Sequence, residues 1–153
     1  MGDYVFKLDE IDIEILRMLI KNGRVRLTEM AKRVNKTPVT IRNHLKKLFD
    51  SGVIRAVVPL INHKALGYNL SAIILIQTKP EFLGALINWL KSKKNVLILY
   101  EITGRYDLLA KVIAKNDEDL VDFIKKLSNS GLVTRVNTCL IMRSHLEKFY
   151  VPF

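Results

Sequence analysis

Lys36, Arg42, His44, Lys46 and Lys47 are crowded into the stretch VNKTPVTIRNHLKKL, Val34–Leu48, between Ile41, Leu45 and Leu48. Cationic side chains at this density suit nucleic-acid phosphates. Arginine and asparagine among them add the means to read base edges, guanine for the one and adenine for the other. At about 100° per residue, Ile41, Leu45, Leu48 and Phe49 share one apolar sector, and Val39, Arg42, Asn43, Lys46 and Lys47 lie opposite, with Thr40 at the edge. One face would hold a helix to its domain and the other would meet DNA. On this reading Thr37, Pro38, Val39, Thr40, Arg42, Asn43, His44, Lys46 and Lys47 form the DNA-binding set. Arg42 and Asn43 would read bases, Lys46 and Lys47 would hold phosphates, and His44 would be a helix-surface residue beside the duplex. Val39 is either incidental or a contact to a thymine methyl.

The charge of the whole chain agrees with this placement. Its 153 residues carry 25 Lys+Arg against 15 Asp+Glu, a net charge of +10, which favours nucleic acid or an anionic membrane as partner. Residues 24–55 hold nine of the basic side chains against only Glu29 and Asp50, so the excess is concentrated there. No apolar run approaches the ~18 residues of a membrane span, and the mixed start MGDYVFKLDEIDIEIL does not resemble a signal peptide. A cytoplasmic protein is expected. Cys139 is the only cysteine, which leaves neither an internal disulfide nor a multi-thiolate zinc site, and no cofactor is expected.

Three helices must position the basic face. The first runs from an N-cap at Asp9 through Ile11, Ile15, Leu16, Met18 and Leu19 to Gly23, whose left-handed conformation would end it. A short second helix is capped by Thr28 and turns Leu27, Ala31 and Val34 inward. Asn35 supplies a left-handed turn, and Thr37 and Pro38 start the third helix as N-cap and first-turn residue. This is a helix-turn-helix pattern. Gly52 stops the third helix and Val53–Pro59 reads as extended, with Arg55 either a wing-like phosphate contact or a solvated strand residue. INHKALGYNL, bracketed by Pro59 and Gly67, reads as a linker.

Beyond it the apolar period alternates between strand and helix. LSAIILIQTK is a strand, and the helix from Pro80 carries Leu83, Leu86, Ile87 and Leu90 on one face. Two strands follow in VLILYEITGRYDLLAKVIAK, with a turn near Gly104. The helix from Asp117 has Leu120, Phe123, Ile124 and Leu127 inward, and LVTRVNTCLIM is a last strand. The order βαββαβ is the ferredoxin-like arrangement, with both helices on one sheet face. The fold class is therefore α+β, an N-terminal winged-type helix-turn-helix domain (1–58), a linker (59–68) and a C-terminal ferredoxin-like βαββαβ domain (69–153). Strand residues of both parities are apolar, as in Ile73–Ile76 and Leu97–Leu99, so the second sheet face also needs a cover. A second copy of the chain in a two-fold dimer would supply it, and would set two recognition helices on a near-palindromic operator. Phe82 and Trp89, seven residues apart on one helix flank, suit either further contacts between chains or packing within one.

LDEIDIEIL, LTEMAKRVNKTPVTIRNHLKKLFDSGVI, INHKALGY and YEITGRYDLLAKV together resemble the Lrp/AsnC, or feast/famine, regulators over nearly the whole length. That resemblance implies a transcription regulator with an amino-acid-sensing C-terminal domain, assembled as dimers and in larger rings up to octamers. It carries the family's glycine–aspartate turn onto Gly104 and Asp107, and so suggests effector contacts at Thr103, Gly104, Arg105, Tyr106, Asp107, Thr134 and Thr138. Asp107 would either accept a ligand's ammonium or cap the turn. Asn35 stands where many relatives have glycine and Val39 where they have a small polar residue. SGLVTR replaces a proline-glycine-valine approach to the last strand.

Three rivals compete with this reading. Sirohaem decarboxylases share the two-domain plan, but Leu97–Leu99 stand where the resemblance would place a histidine, and His44, His63 and His145 lie in separate elements. An RNA-binding sheet would display stacking aromatics on an open face. A membrane-surface helix would need the apolar side that the third helix uses for its own core.

Overall fold

The computed structural model describes residues 7–148 and residue 150. The chain forms two compact units, one reaching to Leu60 and including the residues from Glu147, the other Ile61–Leu146. The outermost parts of the two expected domains, residues 1–6, 149 and 151–153, lie outside the described residues.

The first unit consists of α1 (Glu10–Lys21), α2 (Leu27–Arg33) and α3 (Pro38–Asp50). A reciprocal cap opens α1: the Asp9 carboxylate accepts from the Asp12 N–H at 2.8 Å, and the Asp12 carboxylate accepts from the Asp9 N–H at 3.1 Å. Its end differs from expectation. Asn22 leaves the helix in extended backbone and Gly23 is not left-handed. Gly23 instead lets the chain pass close to Val57, whose Cγ1 would lie 3.0 Å from a Cβ at that position. The start of α2 also differs, because the extended backbone of Arg26 offers its carbonyl to the N–H groups of Glu29 and Met30, and Thr28 falls inside the helix.

The turn into α3 is as expected. Asn35 adopts φ 51, the Lys36 N–H donates to the Ala31 carbonyl at 2.9 Å, and the Asn35 N–H donates to Lys32, which closes α2 with a left-handed residue. Thr37 accepts from the Thr40 N–H, and Pro38 opens α3. Ile15, Leu16, Met30, Ala31, Ile41, Leu48 and Ile54 make the buried core. Phe49 is a correction: expected inward, it is 44% exposed. The buried stripe of α3 runs 41, 44, 45, 48 and includes His44, so Phe49 falls on the flank. After Gly52 (φ 73), residues 55–60 form neither helix nor strand, so the expected extended segment pairs with no sheet, and Val58 and Leu60 stand exposed.

The expected linker holds a helical turn of its own, a 3₁₀ segment His63–Leu66 capped by Asn62 and ended by Gly67 at φ 85. The second unit then follows as β1 (Leu70–Gln77), α4 (Leu83–Lys91, entered through a 3₁₀ turn Pro80–Phe82), β2 (Val96–Glu101), β3 (Leu108–Ala114), α5 (Asp117–Ser128) and β4 (Arg135–Leu140). The strands make one antiparallel sheet in the order β2-β3-β1-β4. Ile74, Ile76, Leu108, Ala110 and Val112 face α4 and α5 and pack with Leu86, Leu90, Phe123 and Leu127. Trp89 joins this core with its ring centroid 5.9 Å from that of Phe123, so its packing lies within the unit. On the opposite sheet face Ile73, Leu75, Leu109 and Ile98 are only half-buried, and Tyr100 is exposed.

Candidate functional site

On α3, the residues Val39, Arg42, Asn43 and Lys46 are all exposed and stand at positions i, i+3, i+4 and i+7, one continuous outward stripe. Val39 is 62% exposed in spite of its apolar side chain. Thr37 and Pro38 mark the exposed start of the helix, with the hydroxyls of Thr37 and Thr40 2.9 Å apart. Lys46 is paired with Asp50 one turn on, both well exposed, and such a pair yields readily to a phosphate. A shallow hollow of about 330 Å³ beside this stripe is lined by Thr28, Ala31, Lys32, Asn35, Lys36 and Pro38, so Lys32 and Lys36 extend the basic surface from α2 to the turn.

His44 and Lys47 do not belong to that stripe. The His44 side chain is 17% exposed, and its Nδ1 donates to Asp12 Oδ1 at 2.7 Å, which places the proton on Nδ1 because a carboxylate only accepts. The Lys47 ammonium donates to Asp12 Oδ2 at 2.9 Å and lies 3.8 Å from Asp9. The expected helix-surface position of His44 is therefore corrected, and Lys47 is turned toward α1. The physical reason lies in α1, where Asp12 belongs to the inward stripe 12, 15, 16, 19 and is wholly buried. A buried carboxylate demands partners, and the α3 residues that cross it supply them.

Burial alone would raise the pKa of Asp12, but hydrogen bonds from His44, from Lys47 and from the Asp9 N–H outweigh it and hold the carboxyl below its ordinary value. Lys47 is raised, first by its hydrogen bond to Asp12. Ligand atoms of Asp9, Asp12 and His44 come within 4.8 Å of one another. The Lys47 ammonium already sits among these carboxylates, so the cluster is an ion pair completed by the protein's own cation. Sequence reasoning missed Asp12 because apolar periodicity hides a polar residue on a buried stripe. Its spacing to Ile15, Leu16 and Leu19 was the available signal.

The second group of candidates meets at one end of the sheet. Thr103, Gly104 and Arg105 are exposed in the β2–β3 turn, where Gly104 has φ 112 and the Arg105 guanidinium lies over the Tyr106 ring. Asp107 Oδ2 accepts from the Thr78 N–H at 2.8 Å, and the Asp107 N–H donates to the Ile76 carbonyl at 2.9 Å. The aspartate thus ties the turn to the end of β1. Thr134 reaches the same end, its N–H donating to the Gln77 carbonyl at 2.8 Å. Thr138 does not: it lies farther along β4, opposite Ile74, on the face that the helices cover.

A tri-helical unit with an exposed basic stripe on a capped third helix, followed by an antiparallel βαββαβ unit, defines a two-domain DNA-binding regulator. Residues 8–55 match the family model of the winged helix-turn-helix DNA-binding domain, and residues 71–151 match that of the Lrp/AsnC ligand binding domain. The chain is 34% identical over 145 residues to the HTH-type transcriptional regulator FL11 of Pyrococcus abyssi, covering 95% of this chain and 96% of the relative. Among solved structures it is similar to Escherichia coli AsnC (TM-score 0.89, 25% identity, 96% of this chain and 100% of that one). It is also similar to Bacillus subtilis LrpC (TM-score 0.84, 25% identity, 93% and 99%). The chain belongs to the Lrp/AsnC family of transcriptional regulators. The FL11 relative is a transcriptional regulator, and the decarboxylase alternative is set aside. Among the described residues no helix is long and apolar enough to cross a membrane.

Proposed function

We propose that the chain is a sequence-specific regulator acting in the cytoplasm, which reads a near-palindromic operator as a two-fold dimer and whose binding or assembly responds to a small amino acid. The observation that carries this reading is the outward stripe Val39, Arg42, Asn43 and Lys46 on a helix preorganised by the Thr37 cap and Pro38. Arg42 and Asn43 sit in the second turn, where a recognition helix meets base edges. Dimerisation is supported by the apolar sheet face of Ile73, Leu75, Leu109 and Ile98, which is only half-buried within one chain. The amino-acid effector is supported by the match to the family's ligand-binding domain, with the turn Thr103–Asp107 and the neighbouring Thr134 as its site. Asp107 Oδ2 is engaged by the Thr78 N–H, so recognition of the effector there would draw on the second Asp107 oxygen, on backbone groups opened by Gly104 and on the side chains of Thr103, Arg105 and Tyr106.

The test is fluorescence anisotropy against the DNA upstream of the chain's own gene and against random duplex, over a range of salt, with and without a pool of amino acids. Preference for the upstream DNA that the pool alters supports the reading. Salt-sensitive binding without preference reduces the protein to a DNA-coating role, and loss of all binding overturns the DNA-reading role of α3.

A further inference from the structure

The positive charge of the first unit does not lie on α3 alone. Between α1 and α2 the side chains alternate: Val25 and Leu27 pack against the core, while Arg24 and Arg26 are exposed. After α3 the pattern recurs, with Ile54 buried in the same core and Arg55 beside it exposed. The two segments meet at Gly23, where the Val57 Cγ1 lies 3.0 Å from the place a Cβ would take. This close approach gathers three arginines from two distant parts of the chain. No acid lies between Glu14 and Glu29, nor between Asp50 and Glu81. Arg17 and Arg33 are held by Glu14, whereas the guanidinium groups of Arg24, Arg26 and Arg55 have no ion pair or hydrogen bond among the described residues.

We propose that Arg24, Arg26 and Arg55 form a second contact with DNA, binding backbone phosphates of the duplex beside the half-site that α3 reads. The basic surface runs from one contact to the other along α2. Lys36 and Lys32 line the hollow beside the α3 stripe together with Thr28, and Arg26 stands two residues before Thr28 at the entry to α2. A guanidinium offers two parallel N–H groups to the oxygens of a phosphate, and these three have no existing partner to give up. Their backbone is already fixed. The Arg24 N–H donates to Asn22 Oδ1 at 2.9 Å, the Val25 N–H to the Asn22 carbonyl at 3.1 Å and the Ile54 N–H to the Leu48 carbonyl at 3.0 Å. Binding therefore orders the arginine side chains alone, which keeps its entropic cost low. Neither segment presents a helix or strand to a groove, so the contact is with phosphates and carries no base readout.

This inference rests on α3 facing DNA, and its signature is the number of phosphates neutralised. The full chain is titrated by anisotropy with a random duplex of about four helical turns over a range of salt. Replacing Arg24, Arg26 and Arg55 together by alanine is expected to lower the log–log salt slope by about two to three units for each bound protomer, and to weaken binding about tenfold or more near 0.1 M salt. Arg55→Ala alone should lower the slope by about one unit, and the triple replacement by lysine, which keeps the charge, should retain most of it. The control removes the same charge from the second unit, at the exposed Lys91, Lys94 and Lys115, and should keep the wild-type slope. An unaltered slope in the triple-alanine and Arg55→Ala proteins overturns the proposal. So does a control that lowers the slope as far, since net charge and not position would then be the cause. Failure of the recognition-helix reading would appear differently, as Arg42→Ala weakening specific and random duplex alike.

Discussion

The polar side chains on α3 are assigned by their exposure or by what they touch. Arg42 and Asn43 are exposed on the stripe that contains Val39. Arg42→Ala is expected to cost about 1–3 kcal/mol of specific binding and to relax preference at one operator position, read by competition with base-substituted duplexes. Lys46→Ala is expected to weaken specific and random duplex equally and to lower the salt slope by about one unit. Asp12 acts on stability. Its folded pKa lies below the ordinary 3.8, so the stability it contributes is fully present above that value and is lost as pH falls through the lowered folded value. Asp12→Ala should destabilise the fold by roughly 1–3 kcal/mol at neutral pH, less than the loss of a fully enclosed pair, because Lys47 can return to water. It should also flatten the acid limb of stability, as denaturant melts across pH would show.

At the scale of elements, caps and left-handed residues decide where α3 begins and how it is presented. The Thr37 hydroxyl serves the Thr40 N–H, and Asn35 at φ 51 turns the chain so that α3 can cross α1. Thr37→Ala is expected to cost about 1 kcal/mol in thermal or urea unfolding. The β2–β3 turn is constrained in the same way. Gly104 at φ 112 admits no ordinary side chain without strain, and Asp107 fastens the turn to Thr78 and Ile76. Effector response should therefore be more sensitive to Gly104→Val than to substitutions at exposed Arg105, a comparison made by anisotropy with the responsive amino acid.

For the molecule as a whole, the second sheet face links fold to function. Leu75 stands on it half-buried, with Leu109 opposite on β3 and Asn137 opposite on β4. Leu75→Lys would set a charge in the centre of that apolar face, and if the proposed dimer forms through it, light scattering is expected to show a dimer for the unaltered chain and a monomer for the variant. Specific DNA affinity should fall with it, because two recognition helices held by one axis bind far more tightly than either alone. Retention of the dimer in that variant would place the interface elsewhere.

What the sequence determined by itself is much of what local chemistry governs, though not the start of α2 or the side taken by Phe49. The α3 start at Thr37-Pro38, the left-handed Asn35 and the βαββαβ order followed from side chains acting within a few residues of themselves. So did the inward sets Leu86, Leu90 and Phe123, Leu127, because helical period and burial coincide where every inward residue is apolar. Tertiary structure decided the rest. His44 and Asp12 are polar members of buried stripes, and only the crossing of α1 and α3 brings them to 2.7 Å, which turns an expected surface histidine inward. Gly23 and Asp107 were misplaced or left open for the same reason. What each does is set by Val57 in the one case and by Thr78 in the other, partners distant in sequence whose proximity no local pattern encodes.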